Sequence, residues 1–270
     1  MSIKQRIQNL IKAKQVHYAN ITYSTPNELL KGKRIVLTGG TGGIGKAMAK
    51  RFVEEGAKLL ITGRNQDKLH ETASDLGCEM LVLDVTRVDT FDDFVMQAVA
   101  KLGDIDCLVN NAGISLHETF QGVAPEGFDE QIATNLKGPF FLSQRVLAQM
   151  VKQGTKGQVL FVSSETGETA DVRPYGITKA AINSLVQGLA YLYMENGIRI
   201  NAIAPGITAS NMTGFSAEGD LHCSFNPIGR VYLPEEMAEV AAFLLSDVSN
   251  CISGQIITCN NAKTINARWK

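Results

Sequence analysis

The sequence has no excess of charge of either sign. Its 26 lysine and arginine residues are matched by 27 aspartate and glutamate residues, so the 270 residues carry a formal net charge of −1. Binding to nucleic acid or to an anionic membrane usually depends on a clear excess of basic residues. The charge balance therefore argues against either partner.

Long apolar runs and paired cysteines are also missing. No run approaches the ~18 apolar residues that a transmembrane helix needs, and no apolar secretion signal precedes a cleavage site. The five cysteines are scattered, and none belongs to a C-x-x-C pair (Cys78, Cys107, Cys223, Cys251 and Cys259). We therefore expect a soluble cytoplasmic protein with reduced, mostly buried cysteines, no disulfide framework and no metal site.

Short apolar runs alternate with helix-length segments along the chain. Runs rich in Val, Ile and Leu lie at about 34–38, 58–62, 79–83, 106–109, 157–162, 198–203 and 254–258. Helical patterns lie at about 43–55, 66–76, 88–101, 125–152 (with a break), 175–195 and 234–245. This alternation predicts a single Rossmann-like α/β domain, with a doubly wound, mainly parallel sheet of seven strands and helices on both faces.

Two regions fall outside this alternation. The first precedes the predicted catalytic domain, residues 33–270, and the second lies within it. Residues 1–32 are an N-terminal extension, in which four apolar residues share one face of a possible basic helix (Ile3, Ile7, Leu10 and Ile11). Such a helix usually packs on its own domain or on a sister subunit, and contact with a membrane surface is the alternative. Residues 206–230 lack periodicity and follow a strand, which predicts a substrate lid at the carboxyl edge of the sheet.

A glycine-rich turn is the clearest motif. Residues 38–45 read Thr-Gly-Gly-Thr-Gly-Gly-Ile-Gly, between a predicted strand and a predicted helix. Glycine permits a positive φ and lets the backbone approach a phosphate, while the start of the helix offers unpaired N–H groups to an anion. In this position the pattern predicts a dinucleotide site, and a tight turn without a ligand is the less favoured alternative.

Three side chains are candidates for acid–base chemistry. Tyr175 and Lys179 are four residues apart, so they share one face of a predicted helix. A neighbouring ammonium favours the phenolate, so we expect Lys179 to lower the pKa of Tyr175. Ser164 ends a strand that leads to the same edge of the sheet, where its hydroxyl could bind a substrate oxygen. Without further context, Tyr175 and Lys179 could be an ordinary pair on a helix surface, and Ser164 could simply be a turn residue at a strand end.

Several motifs occur in a set order along the chain: Thr38–Gly45, Asp84-Val85, Asn110–Gly113, Asn135, Ser164, Tyr175 with Lys179, and Asn201–Gly206. Together they resemble the classical short-chain dehydrogenase/reductase family over about residues 33–260. The resemblance implies an NAD(P)-dependent oxidoreductase that interconverts a carbonyl and a secondary alcohol, active as a homotetramer or homodimer.

The resemblance also implies a role for each matching residue. Tyr175 would be the general acid/base, Lys179 would lower its pKa and hold the nicotinamide ribose, and Ser164 would orient the substrate oxygen. Asn135 would hold a water that links Lys179 to solvent. The expected cofactor-binding residues are Gly39, Thr41, Gly42, Gly43, Ile44, Gly45, Arg64, Asn65, Asp84, Val85, Asn111, Ala112, Gly113, Tyr175, Lys179, Pro205 and Gly206.

The choice of cofactor depends on the end of the second strand, which reads Gly63-Arg64-Asn65. A basic residue there favours the 2′-phosphate of NADP(H), whereas an acidic residue favours the ribose 2′-hydroxyl of NAD(H). Asp67 opposes Arg64, but it lies near a helix start, where a carboxylate is also expected as a cap. We expect NADP(H), with NAD(H) as the alternative.

The sequence departs from the family pattern beside the expected site. The interval from Ser164 to Tyr175 is shorter than usual, Arg173 and Pro174 directly precede the tyrosine, and Asn260-Asn261-Ala262 replaces a common glycine pair. The small-molecule substrate is therefore open among a 3-oxoacyl thioester, a sugar or polyol, a steroid and a small ketone. A non-catalytic nucleotide-binding regulator is an alternative function, and a nucleotide-sugar epimerase or dehydratase is a further one that the short C-terminal region disfavours.

Overall fold

The computed structural model describes residues 28–265. Its sheet is wholly parallel and has the strand order β3-β2-β1-β4-β5-β6-β7. The strands are β1 (Arg34–Thr38), β2 (Lys58–Gly63), β3 (Glu79–Val82), β4 (Cys107–Asn110), β5 (Gln158–Val162), β6 (Arg199–Pro205) and β7 (Ile256–Cys259). The predicted seven-stranded Rossmann-like sheet is thus confirmed.

Helices cover both faces of this sheet. They are α1 (Gly43–Glu54), α2 (Gln66–Leu76), α3 (Phe91–Leu102), α4 (Pro125–Ile132), α5 (Gly138–Gln153), α6 (Pro174–Leu192) and α7 (Pro234–Leu245). One core cluster joins the sheet to α1, α2 and α7, and the other joins it to α3, α5 and α6. Strand β1 shows why both clusters form. Val36 faces one cluster while Ile35 and Leu37 face the other, since successive side chains of a strand point to opposite faces.

Two helix boundaries differ from the sequence-based prediction. Helix α3 begins at Phe91 because residues Val88–Thr90 form a separate 3₁₀ turn. The predicted break within 125–152 is a π-helical segment, Ala133–Lys137, which connects α4 directly to α5. A π-helical segment is often found at a functional site, and this one carries Asn135.

The order of the strands reverses between β1 and β4, and this reversal creates a crevice at one edge of the sheet. Strands β1 and β4 are neighbours, but the chain continues from them to opposite edges of the sheet, so a crevice opens beyond their carboxyl ends. Residues 206–230, the predicted lid, follow β6 at this edge. Ala209, Leu221 and Cys223 form a small apolar core with Val231, so Leu221 packs inside this segment.

The predicted N-terminal helix lies outside the described residues. At the start of the described part, Leu30 is buried in the core, and the backbone N–H of Leu29 donates to the Glu55 carboxylate. Cys107 and Cys223 are buried, whereas Cys251 is exposed, so fewer cysteines are buried than expected. Within residues 28–265, no helix is both long and apolar enough to cross a bilayer.

Candidate active site

One cavity of about 410 Å³ at the carboxyl ends of the strands gathers most of the predicted site residues. Those that line it are Gly39, Gly42, Gly43, Ile44, Gly45, Asn111, Ala112, Gly113, Ser164, Tyr175, Lys179, Pro205 and Gly206. The others lie outside its lining: Thr41, Arg64, Asn65, Asp84, Val85 and Asn135.

The glycine-rich loop leaves little room for side chains, and at Gly40 a Cβ would lie 2.7 Å from the Cβ of Ile61. Gly39 has φ +68°. A Cβ on Gly45 would overlap the Gly39 carbonyl oxygen and would lie 2.5 Å from Asn111 Nδ2. This packing keeps the backbone of the loop open toward the cavity. A phosphate can therefore approach the start of α1 closely.

Thr38 and Asn111 connect this loop to the segment after β4. The backbone N–H groups of Asn111 and Ala112 donate to Thr38 Oγ1 at 3.0 and 3.1 Å. In return, Asn111 Nδ2 donates to the carbonyls of Thr38 and Gly39 at 2.9 and 3.0 Å. The contacts hold two walls of the crevice in register. Thr38 belongs to the sequence motif, but its bridging role depends on the pairing of β1 with β4 and could not be read from spacing.

Tyr175 and Lys179 lie on one face of α6 and both line the cavity, with Lys179 Nζ 5.5 Å from the centre of the Tyr175 ring. Lys179 is buried, and its ammonium donates to the Val162 carbonyl at 2.8 Å. Burial lowers the pKa of Lys179 to about 8. The expected lowering of the Tyr175 pKa is not observed. Burial raises that pKa, against the opposing effects of a hydrogen bond with Ser164 and the charge of Arg173.

Two adjacent serines follow β5 and have different partners. Ser163 donates to Asn183 Oδ1 at 2.6 Å, which fastens the end of β5 to α6. Ser164 lines the cavity and accepts hydrogen bonds from the backbone N–H and the hydroxyl of Thr166, at 3.3 and 3.1 Å. Thr166 therefore holds the Ser164 oxygen in place, and the Ser164 hydroxyl also makes a hydrogen bond with Tyr175.

Asn135 supports the cavity from behind. Its Oδ1 accepts from the backbone N–H of Ile114 and its Nδ2 donates to the Ile114 carbonyl, both at 2.8 Å. Its Nδ2 also lies 3.4 Å from Thr178 Oγ1 on α6. The side chain is buried, because the π-helical segment turns it toward the chain after β4. Asn135 thus joins that chain to the helix that carries Tyr175 and Lys179.

Charged residues cluster at the carboxyl end of β2. Arg64 is exposed, and Asn65 caps α2 by accepting from the Lys68 backbone N–H at 2.9 Å. The cap is therefore Asn65, and the suggestion that Asp67 serves as the cap is wrong. The Lys68 ammonium lies 3.7 Å from where a Cβ on Gly42 would be, which brings a second cation to the glycine-rich loop.

Asp84 and Val85 lie just beyond β3 and do not line the cavity. Asp84 accepts from the backbone N–H and hydroxyl of Thr86, at 2.9 and 2.8 Å. Burial acts to raise the pKa of Asp84, but the Thr86 hydrogen bonds and the charge of Arg64 outweigh it and lower that pKa. The Val85 side chain packs in the core, and its carbonyl contacts Gly138.

The segment that replaces the glycine pair near the C-terminus contacts Glu165, which lines the cavity. Asn261 and Ala262 adopt positive φ values of 51° and 65°, a conformation that glycine adopts more easily. This turn directs Lys263 and Asn260 onto Glu165, the residue after Ser164. Lys263 Nζ lies 2.6 Å from Glu165 Oε1, and Asn260 Nδ2 donates to Oε2 at 3.1 Å.

Further polar residues that spacing did not reveal also line the cavity: Ser115, His117, Thr166, Thr208 and Thr213. His117 has a positive φ of 55°, and its Nε2 contacts the Met212 carbonyl of the lid at 2.7 Å. Since the carbonyl accepts, Nε2 carries the proton. The lid is therefore joined to the chain after β4 across the mouth of the cavity.

These features fit a dinucleotide: a glycine loop that a Cβ would obstruct, an open helix start and a crevice where the strand order reverses. A family model described as enoyl-(acyl carrier protein) reductase matches residues 39–261. The chain belongs to the short-chain dehydrogenase/reductase family. It is accordingly an oxidoreductase that uses a nicotinamide cofactor and acts on a CH–OH or carbonyl group.

Named members of the family are similar over most of the chain. Gluconate 5-dehydrogenase of Gluconobacter oxydans is 32% identical over 247 residues, which cover 87% of this chain and 96% of that protein. The 3-oxoacyl-(acyl-carrier-protein) reductase FabG of Thermotoga maritima is 36% identical, with 84% of this chain and 96% of that protein covered.

A solved structure shows the same fold with a cofactor. The 3-ketoacyl-(acyl-carrier-protein) reductase of Brucella melitensis, complexed with NADH, superposes with a TM-score of 0.81 at 28% identity. The match covers 87% of this chain and 99% of that one. A short-chain dehydrogenase/reductase from Mycobacterium marinum has the same TM-score at 29% identity, with 90% and 100% covered.

Proposed function

We propose that this protein is an NADP(H)-dependent oxidoreductase that interconverts a carbonyl and a secondary alcohol, with Tyr175 as the general acid/base. One observation carries the proposal. Tyr175, Ser164 and Lys179 converge on the same cavity as the glycine-rich loop. A regulator that only binds a nucleotide has no need of this convergence.

Four polar residues each have a defined task in the proposed reaction: Tyr175, Ser164, Lys179 and Asn135. Tyr175 gives its proton to the substrate oxygen during reduction and takes it back during oxidation. Ser164, whose side chain is held in position by Thr166, donates a hydrogen bond to the same substrate oxygen. Lys179 would donate hydrogen bonds from its ammonium to the ribose hydroxyls. Asn135 keeps the supporting chain and α6 together and holds the water next to Lys179.

The bound nicotinamide would supply or accept the hydride, and the remaining cofactor-binding residues orient it. Gly39, Gly43 and Gly45 would hold the pyrophosphate, Asn111 to Gly113 would line the groove, and Pro205 and Gly206 would contact the nicotinamide. Thr41, Asn65, Asp84 and the backbone of Val85 would contact the adenosine.

The preference for NADP(H) is supported by charge at the end of β2. Arg64 is exposed there, and the Lys68 ammonium adjoins Gly42 of the glycine-rich loop. Two cations can neutralise a 2′-phosphate and hydrogen-bond to it. The opposing carboxylates are Asp67, in the first turn of α2, and Asp84, which already accepts two hydrogen bonds from Thr86.

We also propose a homodimer or homotetramer. Large apolar side chains are exposed on α5 and α6, among them Phe140, Val151, Tyr191 and Leu192. A second copy of the chain would remove such a surface from water.

The Tyr175→Phe variant tests the proposed chemistry. It lacks the transferable proton but keeps the ring that lies beside Lys179. We expect NADPH to bind as it does to the wild type in a fluorescence titration, more tightly than NADH, while turnover on a panel of carbonyl compounds falls by about 10²-fold or more. Substantial residual turnover would contradict the role of Tyr175.

A further inference from the structure

Arg173 lines the cavity, but the proposed reaction does not use it. Of the other charged side chains that line the cavity in the described part of the chain, two are held by their contacts. Glu165 is held by Lys263, and Lys179 donates to the Val162 carbonyl. Arg173 precedes α6 directly, two positions before Tyr175, and its side chain is 49% exposed.

Asp171 fixes the direction of the Arg173 guanidinium. Its Oδ1 accepts from the Arg173 backbone N–H and from Nε, both at 2.9 Å, and its Oδ2 accepts from Nη2. Asp171 is itself buried, with 8% of its side chain exposed, and it packs directly on Gly176, where a Cβ would displace it. The shortened interval before Tyr175 is thus folded around this carboxylate.

The pairing leaves one part of the guanidinium available. Asp171 occupies Nε and one N–H of Nη2, whereas Nη1 has no hydrogen-bond acceptor in the part of the chain that the structure describes. The charge of Arg173 also acts on the phenol, since it opposes the effect of burial on the pKa of Tyr175. The available N–H groups therefore belong to the same chamber as the proposed acid/base.

We infer that Arg173 binds a carboxylate of the substrate, so that the carbonyl or alcohol is carried by a small oxo acid or hydroxy acid. This inference deepens the proposed function and depends on it. A planar guanidinium matches a carboxylate, and because Asp171 already offsets part of its charge, a monoanion suits it better than a phosphate dianion.

The rest of the lining agrees with a short polar molecule. Ser115, Thr166, Thr208 and Thr213 bring hydroxyl groups to the cavity, and Ser115 has no hydrogen-bonding partner in the described part of the chain. Such groups can bind the further hydroxyls of a hydroxy acid. The inference applies to the class of substrate and not to a single compound.

The Arg173→Gln variant, compared with wild type, tests the inference on matched substrates. The probes are gluconate against sorbitol and 3-hydroxybutyrate against its methyl ester, so that each acid has an uncharged counterpart. We expect the wild type to favour at least one acid over its counterpart, and the variant to lose about 10- to 100-fold in kcat/KM on that acid. The loss on that acid is expected to exceed the loss on its uncharged counterpart by about tenfold or more, since any effect of Arg173 on the Tyr175 phenol is shared by both members of a pair. Arg145→Gln, which removes an ion pair with Asp92 on the outer surface of α5, is the control.

Calorimetric titration of the same acids into the protein with NADP⁺ gives a readout that does not require turnover. Binding of an acid that is weakened by Arg173→Gln and not by Arg145→Gln supports the inference. It is overturned if no acid binds better than its uncharged counterpart, or if Arg173→Gln weakens both members of a pair equally. Failure of the proposed function would look different, as an absence of turnover on every compound or of any binding of NADP⁺.

Discussion

Replacing Gly45 with alanine tests the packing on which the cofactor loop depends. A Cβ at this position would overlap the Gly39 carbonyl oxygen and would lie 2.5 Å from Asn111 Nδ2, well inside the 3.4 Å at which ordinary contact begins. The Gly39 oxygen is a backbone atom, and Asn111 Nδ2 already donates to it. Neither can move without loosening the contact between β1 and β4.

The expected magnitude combines two opposite effects. Alanine in the interior of a helix is favoured over glycine by up to about 1 kcal/mol, whereas forced overpacking costs about 1–3 kcal/mol. Because the severe overlap is with the Gly39 backbone oxygen, we expect overpacking to dominate. The free energy of unfolding should fall by about 2 kcal/mol, which is the upper end of the overpacking cost less the gain in helix preference. The affinity for NADPH should fall by about tenfold or more, since the displaced loop is the proposed pyrophosphate site.

Gly188→Ala is the matched control. Gly188 also lies inside a helix, α6, but a Cβ there would meet no atom within 4 Å. This variant should be more stable than the wild type by up to about 1 kcal/mol and should bind NADPH normally. Urea denaturation measures stability, and a fluorescence titration measures cofactor affinity. If Gly45→Ala matched Gly188→Ala in both assays, the reasoning from close packing would be refuted.

Two other variants test charged contacts. Arg64→Asp should shift the preference from NADPH toward NADH by about tenfold or more, because it replaces a cation by an anion beside the proposed 2′-phosphate site. Titration with both cofactors measures this preference, and an unchanged ratio of the two affinities would contradict the charge argument. Lys263→Met should lower the free energy of unfolding by about 1–3 kcal/mol in urea, since it leaves the nearly buried Glu165 carboxylate with Asn260 alone. Lys101→Met, which removes a more exposed pair with Glu79, should cost no more than about 1 kcal/mol, and equal losses would count against the burial argument.

The fold follows from the sequence because its signals are local. Runs of branched apolar residues mark buried strands, and glycines mark turns, so the strands and most of the helices lie within a few residues of their predicted positions. Helix α3 and the π-helical segment are the exceptions. The start of α3 depends on a 3₁₀ turn, and the position of Ala133–Lys137 depends on how Asn135 fits against Ile114. Neither feature has a periodic signature.

Part of the candidate site could be predicted from residues close together in the sequence, and part depends on contacts between distant segments. Tyr175 and Lys179 share a face because helical geometry places residues four apart together, and the resemblance to the family suggested their roles. The pKa of Tyr175 could not be predicted in the same way. It depends on burial, on Ser164 and on Arg173, and the neighbouring ammonium contacts the Val162 carbonyl. Lys68 was likewise missed, because only the folding of α2 beside the loop brings its ammonium to Gly42.

Local patterns suffice to predict a Rossmann-like α/β domain with a glycine-rich loop, because hydrophobic period and glycine placement are properties of neighbouring residues. Which side chains meet around the cavity depends instead on contacts between distant segments. Lys263 reaches Glu165 from 98 residues away, and His117 reaches Met212 from 95 residues away. The direction of the Arg173 guanidinium depends on a buried Asp171 that packs on Gly176. Such contacts arise from close packing between distant segments, which no local pattern in the sequence records.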